Sequence, residues 1–118
     1  MKQTINIRMY DKDSPTGVLT PVEAEPWSNP YGVSVFIHKV ILESGRAQFN
    51  ATEPVTGLCL MHADKKKELI AQLEKKFNDL CLTDFGRSCV QREFQELVNE
   101  NIRFYHLDVP NMEGAKHD

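Results

Sequence analysis

The chain has 118 residues, 41% hydrophobic and 26% charged, which is ordinary usage for a globular domain. Fourteen Lys and Arg residues against seventeen Asp and Glu give a formal net charge of −3, a balance that disfavours the basic surfaces of most nucleic-acid binders. No apolar run approaches the roughly 18 residues of a membrane span, so we expect no membrane partner. We predict one α+β domain over residues 1–118.

The number and surroundings of the cysteines indicate the cellular compartment. Cys59, Cys81 and Cys89 cannot all pair within one chain, and each lies in an otherwise apolar stretch. That pattern is typical of reduced core thiols. With no export signal visible at the N-terminus, we expect a cytoplasmic protein.

The N-terminal third divides into a strand and a loop. Residues 4–10 alternate apolar and polar side chains, which predicts a half-buried strand. Residues 11–31 contain four prolines and several acids. Prolines remove ladder donors and fix turns, so this segment is predicted to be a long Pro-rich loop.

The middle of the chain predicts a three-stranded antiparallel meander over about 32–61. Residues 32–42 are rich in β-branched side chains, a composition that favours strands. Turn chemistry at 43–46 and 53–57 separates this strand from two shorter ones at 47–51 and 58–61. The N-terminal strand completes the predicted sheet.

The C-terminal half predicts two amphipathic helices that cover the sheet. Apolar residues recur at helical spacing over about 64–82 and again over about 88–101, with Asp64 a candidate N-cap of the first helix. Residues 103–109 could form a last short strand. Residues 110–118 are small and polar, and we expect them to be a disordered tail.

Two aromatic residues in the Pro-rich segment form the first candidate site. Trp27 and Tyr31 lie among prolines, which lower the entropy lost on binding while the rings supply contact area. This pattern is typical of a loop that anchors a protein partner. The alternative is that both rings fold back and cover the open face of the sheet.

A polar strand face forms the second candidate. Arg46, Gln48 and Asn50 occupy alternate positions of one predicted strand, and these are residue types that read base edges when a sheet enters the major groove. One arginine with two amides is a small footprint beside the basic patches usual in DNA binders. A solvated outer face explains the same pattern.

Reactive side chains form the third candidate. Cys89 is predicted in the first turn of the second helix, where the helix dipole favours a thiolate. His106 and Asp108 alternate on the predicted last strand and could act as an acid and base pair. Zinc bound by Cys59, His62 and the other cysteines is disfavoured because no tight Cys-x-x-Cys knuckle is present. No known catalytic or cofactor motif appears, and we expect no metal and no cofactor.

These observations predict a small, non-enzymatic binding protein that acts on a protein partner as a regulator, inhibitor or adaptor. Short acidic chains of this kind are frequent among accessory proteins of bacteria, phages and mobile elements. Sheet-mediated DNA binding is one alternative, and a small enzyme or thiol-dependent sensor that uses Cys89 or the His106 and Asp108 pair is another. A sheet with one helical cover leaves edge strands, so a homodimer is also compatible with the sequence.

Overall fold

The computed structural model describes residues 2–11, 13–83, 87–105 and 107. Within them five strands and two helices follow in chain order: β1 (Gln3–Asp11), β2 (Ser14–Pro26), β3 (Phe36–Ile41), β4 (Ala47–Thr52), β5 (Cys59–Ala63), α1 (Lys66–Thr83) and α2 (Arg87–Tyr105). The strands form one antiparallel sheet in the order β1-β2-β3-β4-β5. The predicted α+β class is confirmed, with five described strands where the sequence predicted four.

The extra strand lies inside the segment that was predicted to be a loop. β2 occupies Ser14–Pro26 and pairs with β1 from Gln3 to Asp11, so the prediction of a loop over 11–31 is wrong for most of its length. β2 meets β3 only at Glu25 and Pro26. Because each described residue of β2 has a ladder partner on one side only, prolines can occupy positions whose missing N–H would face the open side.

The predicted meander is confirmed as β3, β4 and β5. At the first turn the N–H of Leu42 donates to the carbonyl of Arg46 over 2.9 Å, and Gly45 has a φ of 87°, a conformation that favours glycine. The second turn is held by Glu53, whose buried carboxylate accepts hydrogen bonds from the N–H groups of Val55 and Thr56. The sequence predicted both turns at these positions.

Both predicted helices are confirmed, and the second is longer than expected. Arg103 to Tyr105 form the last turn of α2, so the prediction that a strand begins at Arg103 is wrong. A helix already nucleated over many residues extends at little cost, which outweighs the β propensity of a short aromatic run. The predicted tail at 110–118 lies outside the described residues. Within the described helices, neither is long and apolar enough to cross a bilayer.

The core lies between one face of the sheet and the two helices. Leu69 and Leu73 of α1 are completely buried, as are Val90 of α2 and Ala51 of β4. A group that we call the aromatic cluster fills the space beside them, with ring centroids 5.5 to 6.0 Å apart. This cluster consists of Trp27, Tyr31, Phe77 and Phe94.

The segment between β2 and β3 is tied down by one side chain. The amide of Asn29 donates to the carbonyls of Trp27 and Val33, at 2.8 and 3.0 Å. Its oxygen accepts a hydrogen bond from the N–H of Tyr31 at 3.0 Å, and the Tyr31 hydroxyl donates to the side chain of Asn78 on α1. The segment is therefore a fixed part of the core.

The opposite face of the sheet buries a histidine. His38 of β3 is 4% exposed, and its Nε2 lies 2.8 Å from the hydroxyl of Thr52 on β4. Desolvation lowers the pKa of His38, while a weaker hydrogen-bond contribution from the Lys39 backbone opposes the shift. The imidazole is therefore held in its neutral form.

Candidate functional site

An apolar cleft of about 330 Å³ opens between the two helices and the edge of the sheet. We call it the α1-α2-β5 cleft. α1 and α2 each turn one apolar face towards the sheet, and β5 is the last strand of the described sheet order. The cleft therefore lies beside β5, between this strand and the two helices. Its lining consists of Leu60, Met61, Leu73, Lys76, Phe77, Glu93, Phe94 and Leu97.

An irregularity in β5 places two consecutive residues in this lining. Ala51 pairs with Met61 whereas Thr52 pairs with Cys59, so the register shifts by one residue at Leu60. In a regular strand Leu60 and Met61 would point to opposite faces. A β-bulge re-aims a side chain, and here it lets both side chains contribute to the cleft.

Two opposite charges line the cleft, one on each helix. Lys76 of α1 and Glu93 of α2 are both exposed. Among the described residues neither side chain takes part in an ion pair, whereas the neighbouring Lys75 pairs with Asp79 over 3.2 Å. An apolar cleft with one cation and one anion at its rim can bind an apolar side chain and orient the polar groups beside it.

The apolar surface continues along α2 beyond the cleft. Leu97 is 42% exposed, Tyr105 is 46% exposed and Phe104 is 76% exposed. Leu97 and Phe104 are seven positions apart, so they share one face of the helix. The rings of Phe104 and Tyr105 meet edge to face with centroids 4.9 Å apart. We call Leu97, Phe104 and Tyr105 the exposed α2 surface.

A second cavity, of about 500 Å³, lies between the 32–34 segment, the 53–55 turn and α2. Its lining is more polar and includes Glu53, but the carboxylate of Glu53 is already bonded to the backbone of Val55 and to the N–H and hydroxyl of Thr56. The same carboxylate cannot also serve a ligand without opening the turn. We therefore assign Glu53 a structural role.

The first predicted site is part of the core. Trp27 is 7% exposed and Tyr31 is 3% exposed, and both rings contact Phe77. The interpretation of these two residues as an exposed anchor is therefore wrong. The alternative, in which they fold back over the sheet, is confirmed. The physical reason is that burial of two large rings outweighs any gain from leaving them in water.

The second predicted site is only partly assembled. Gln48 and Asn50 lie on one face of β4, both half-buried, and the amide of Gln48 donates to the oxygen of Asn50 at 2.9 Å. Arg46 precedes the strand, and its guanidinium lies 3.8 Å from the carboxylate of Asp64. One hydrogen bond thus links the two amides, and a nearby acid partly neutralises the cation.

The third predicted site lies largely outside the described part of the chain. The side chain of Cys89 and the residues His106 and Asp108 are not among those described. Among the described residues no three of His, Cys, Asp and Glu come together as metal ligands. Cys59 is exposed, but desolvation raises the pKa of its thiol, an effect that hydrogen bonds with the Met61 and Ala51 backbones only partly offset. A raised pKa lowers the fraction of the thiol that is present as the nucleophilic thiolate.

Sequence reasoning missed the cleft and the exposed α2 surface. The cleft could not be found because its lining comes from three separate elements. The exposed surface did leave a signal, since α2 carries more large apolar residues than the stripe that packs on the core requires, which consists of Val90, Val98 and the partly buried Phe94. That signal was lost when Phe104 and Tyr105 were assigned to a strand.

Comparison of the chain with protein-family models, with curated proteins and with solved structures found no match.

Proposed function

We propose that this chain is a non-enzymatic binding domain that recognises a protein partner through the α1-α2-β5 cleft and acts as a regulator, inhibitor or adaptor. The observation that carries the proposal is an apolar cleft beside β5, the last strand of the sheet within the described residues, with the exposed Leu97 in its lining and further exposed apolar side chains beyond it on α2. Exposed apolar surface rimmed by polar residues marks interaction sites.

The composition of the cleft favours a polypeptide over a small metabolite. Its lining supplies aliphatic and aromatic side chains with charges only at the rim, from Lys76 and Glu93. This arrangement resembles the apolar centre and polar rim of a protein interface. A metabolite site would normally add several converging polar groups to fix orientation.

The proposal is tested by panning a random peptide library on the immobilised full chain and measuring the affinity of enriched peptides by fluorescence polarisation. Leu97→Lys places a charge in the cleft lining at an exposed position, so the fold is expected to survive. We expect it to weaken peptide binding by about tenfold or more, as loss of a contact at an interface centre does.

The matched control is Ile41→Lys. Ile41 is 63% exposed and lies at the far end of β3, outside the cleft lining, so this variant should bind the same peptides with unchanged affinity. If no peptide is enriched, or if both variants lose binding equally, the cleft is not the binding site.

Sheet-mediated DNA binding is less well supported. Arg46 lies beside Asp64, and Gln48 and Asn50 bond to each other, so fewer free groups would face a duplex than the sequence alone implied. Salt-sensitive retention on a DNA column that disappears with Arg46→Ala would favour this alternative.

A further inference from the structure

A second group of buried side chains lies on the face of the sheet opposite the helices, between β3, β4 and the β1-β2 hairpin. Pro26 pairs with Phe36, and residues two apart in a strand share one face, so Ala24 and His38 point to the same side. The register of β1 with β2 places Ile7 on that side as well. We call this group the second core. It consists of Ile7, Ala24, Phe36, His38 and Thr52, none of which is more than 9% exposed.

The β1-β2 hairpin is attached to the rest of the sheet at its two ends. β2 pairs with β3 only at Glu25 and Pro26, whereas β3 pairs with β4 along its whole length. Arg8 ties β1 to the turn between β4 and β5, since its N–H and its guanidinium donate to the carbonyls of Gly57 and Thr56 at 2.8 and 2.6 Å. The hairpin can therefore move away from the second core about its junction with β3 while β3, β4 and β5 stay paired.

His38 is the polar side chain of the second core that a proton would change. Its Nε2 is bonded to the hydroxyl of Thr52, whereas its buried Nδ1 has no hydrogen-bond partner of good geometry among the described residues. A protonated imidazole is a donor at both nitrogens. Protonation would therefore leave a buried charge with an unsatisfied donor, which is unfavourable. Movement of the hairpin would let water reach Nδ1.

The acids of the surrounding elements are not placed to balance that charge. β4 and β5 contain no Asp or Glu. On β2, Glu23 and Glu25 alternate with the residues that face the second core and therefore point the other way. Asp11 and Asp13 belong to the tip of the hairpin, at the end opposite its junction with β3. The carboxylate of Glu53 is bonded within its own turn.

Two other titratable side chains share this side of the sheet, and both are exposed residues of β5. His62 lies opposite Asn50, which lies opposite His38, so the two imidazoles are two strand spacings apart, or about 10 Å. Cys59 pairs with Thr52, and desolvation raises the pKa of its thiol. Neither group supplies a negative charge to a protonated His38 at mildly acidic pH.

We propose that the β1-β2 hairpin is a pH-sensitive latch, which protonation of His38 releases from β3 and β4 while the rest of the domain stays folded. The direction of the pKa supports this, since burial lowers the pKa of His38 below 6.5. The closed latch is therefore most stable above about pH 6.5 and opens more readily as the pH falls. The inference is independent of the proposed function, because the cleft lies on the helix side of the sheet.

The test is hydrogen–deuterium exchange of the full chain, followed by NMR and corrected for the intrinsic exchange rate at each pH. The amide of Arg8 reports on the latch, and the amide of Leu73 in α1 reports on unfolding of the whole domain. We expect Arg8 to be less protected than Leu73 by about tenfold or more. Its exchange should also depend less on urea, because a local opening exposes less surface than unfolding does.

The decisive observation is the pH dependence of Arg8 protection. It should fall by about tenfold between pH 7 and pH 5, since one proton changes an equilibrium at most tenfold per pH unit. His38→Gln should abolish this fall, and His62→Gln, at an exposed position on the same side, should preserve it. A fall that persists in His38→Gln refutes the latch. So does an Arg8 amide with the same protection and urea dependence as Leu73.

Nitrogen chemical shifts of the His38 ring test the latch in the wild type, without any substitution. We expect the ring to take up a proton only over the pH range in which Arg8 loses protection. A ring that becomes protonated while Arg8 stays equally protected would show that the closed hairpin accommodates the charge, and the latch would be wrong.

Discussion

The protein has two groups of aromatic side chains, one buried in the core and one exposed at the end of α2. The aromatic cluster lies between sheet and helices, where Trp27 is 7% exposed and Asn29 fixes the backbone on both sides. Phe104 and Tyr105 lie on the last turn of α2 and contact each other, and Phe104 is 76% exposed.

The difference shows which aromatic residues of the sequence are accessible to a partner. The tryptophan among prolines was the conspicuous candidate for binding, yet its ring completes the core. The aromatic pair at the end of α2 was inconspicuous, yet its rings face solvent. Proline and tryptophan together therefore indicate a rigid packed segment here, and a partner is better sought along α2.

The largest expected effect is the loss of Trp27. Trp27→Ala removes a buried ring that contacts Tyr31 and Phe77, and we expect the free energy of unfolding to fall by about 3–5 kcal/mol. Phe104→Ala, measured at a concentration where the chain is monomeric, should cost less than about 0.5 kcal/mol. Urea unfolding followed by circular dichroism checks both values. Similar losses for the two variants would contradict the contrast between the two groups.

A glycine pair tests how rigidly the segment beside the cluster is held. Gly32 and Gly45 have φ values of 74° and 87°, so alanine is strained at both by about 1–2 kcal/mol. At Gly32 the added methyl would also overlap the amide of Gln91, whereas at Gly45 it meets nothing. Gln91 is exposed and its amide is the end of a flexible side chain that can rotate away, so Gly32→Ala should lower the free energy of unfolding only slightly more than Gly45→Ala does.

A double variant isolates the overlap. Gln91→Ala combined with Gly32→Ala removes the side chain that the methyl meets, so the extra loss at Gly32 should disappear and leave the loss from backbone strain alone. Persistence of the full loss would show that the segment, rather than Gln91, resists the substitution.

A buried and an exposed histidine allow the same comparison to be made for the pH dependence of stability. Burial lowers the pKa of His38 from 6.5, so the unfolded chain binds a proton there more readily than the folded one. The stability linked to His38 is complete above about pH 6.5 and decreases as the pH falls from that value through the folded pKa.

The measurement is the urea midpoint between about pH 7.5 and pH 5. His38→Gln should reduce the fall in the midpoint on acidification. His62→Gln changes an exposed position on β5, and the urea midpoint should decrease on acidification as much as it does in the wild type. Equal effects of the two substitutions would show that burial of His38 is not the cause.

Local chemistry in the sequence predicted much of the fold. Alternation predicted β1, turn residues predicted both hairpins of the meander, and helical periodicity predicted α1 and most of α2. Each of these signals depends on neighbouring residues, and each was confirmed. The prediction failed for β2 because proline is a local signal against strands. Whether a strand tolerates proline depends on which of its two sides lacks a partner strand.

The sequence by itself therefore determined the α+β class, the meander, the helical stripes and the absence of a recognisable catalytic motif. Only the tertiary structure decided that Trp27 and Tyr31 are core residues, that a bulge brings Leu60 and Met61 into one cleft, and that Leu97 and Phe104 face solvent. The physical reason is that periodicity shows which residues are apolar and share a face. Burial depends instead on which other element covers that face, and that element is distant in the chain.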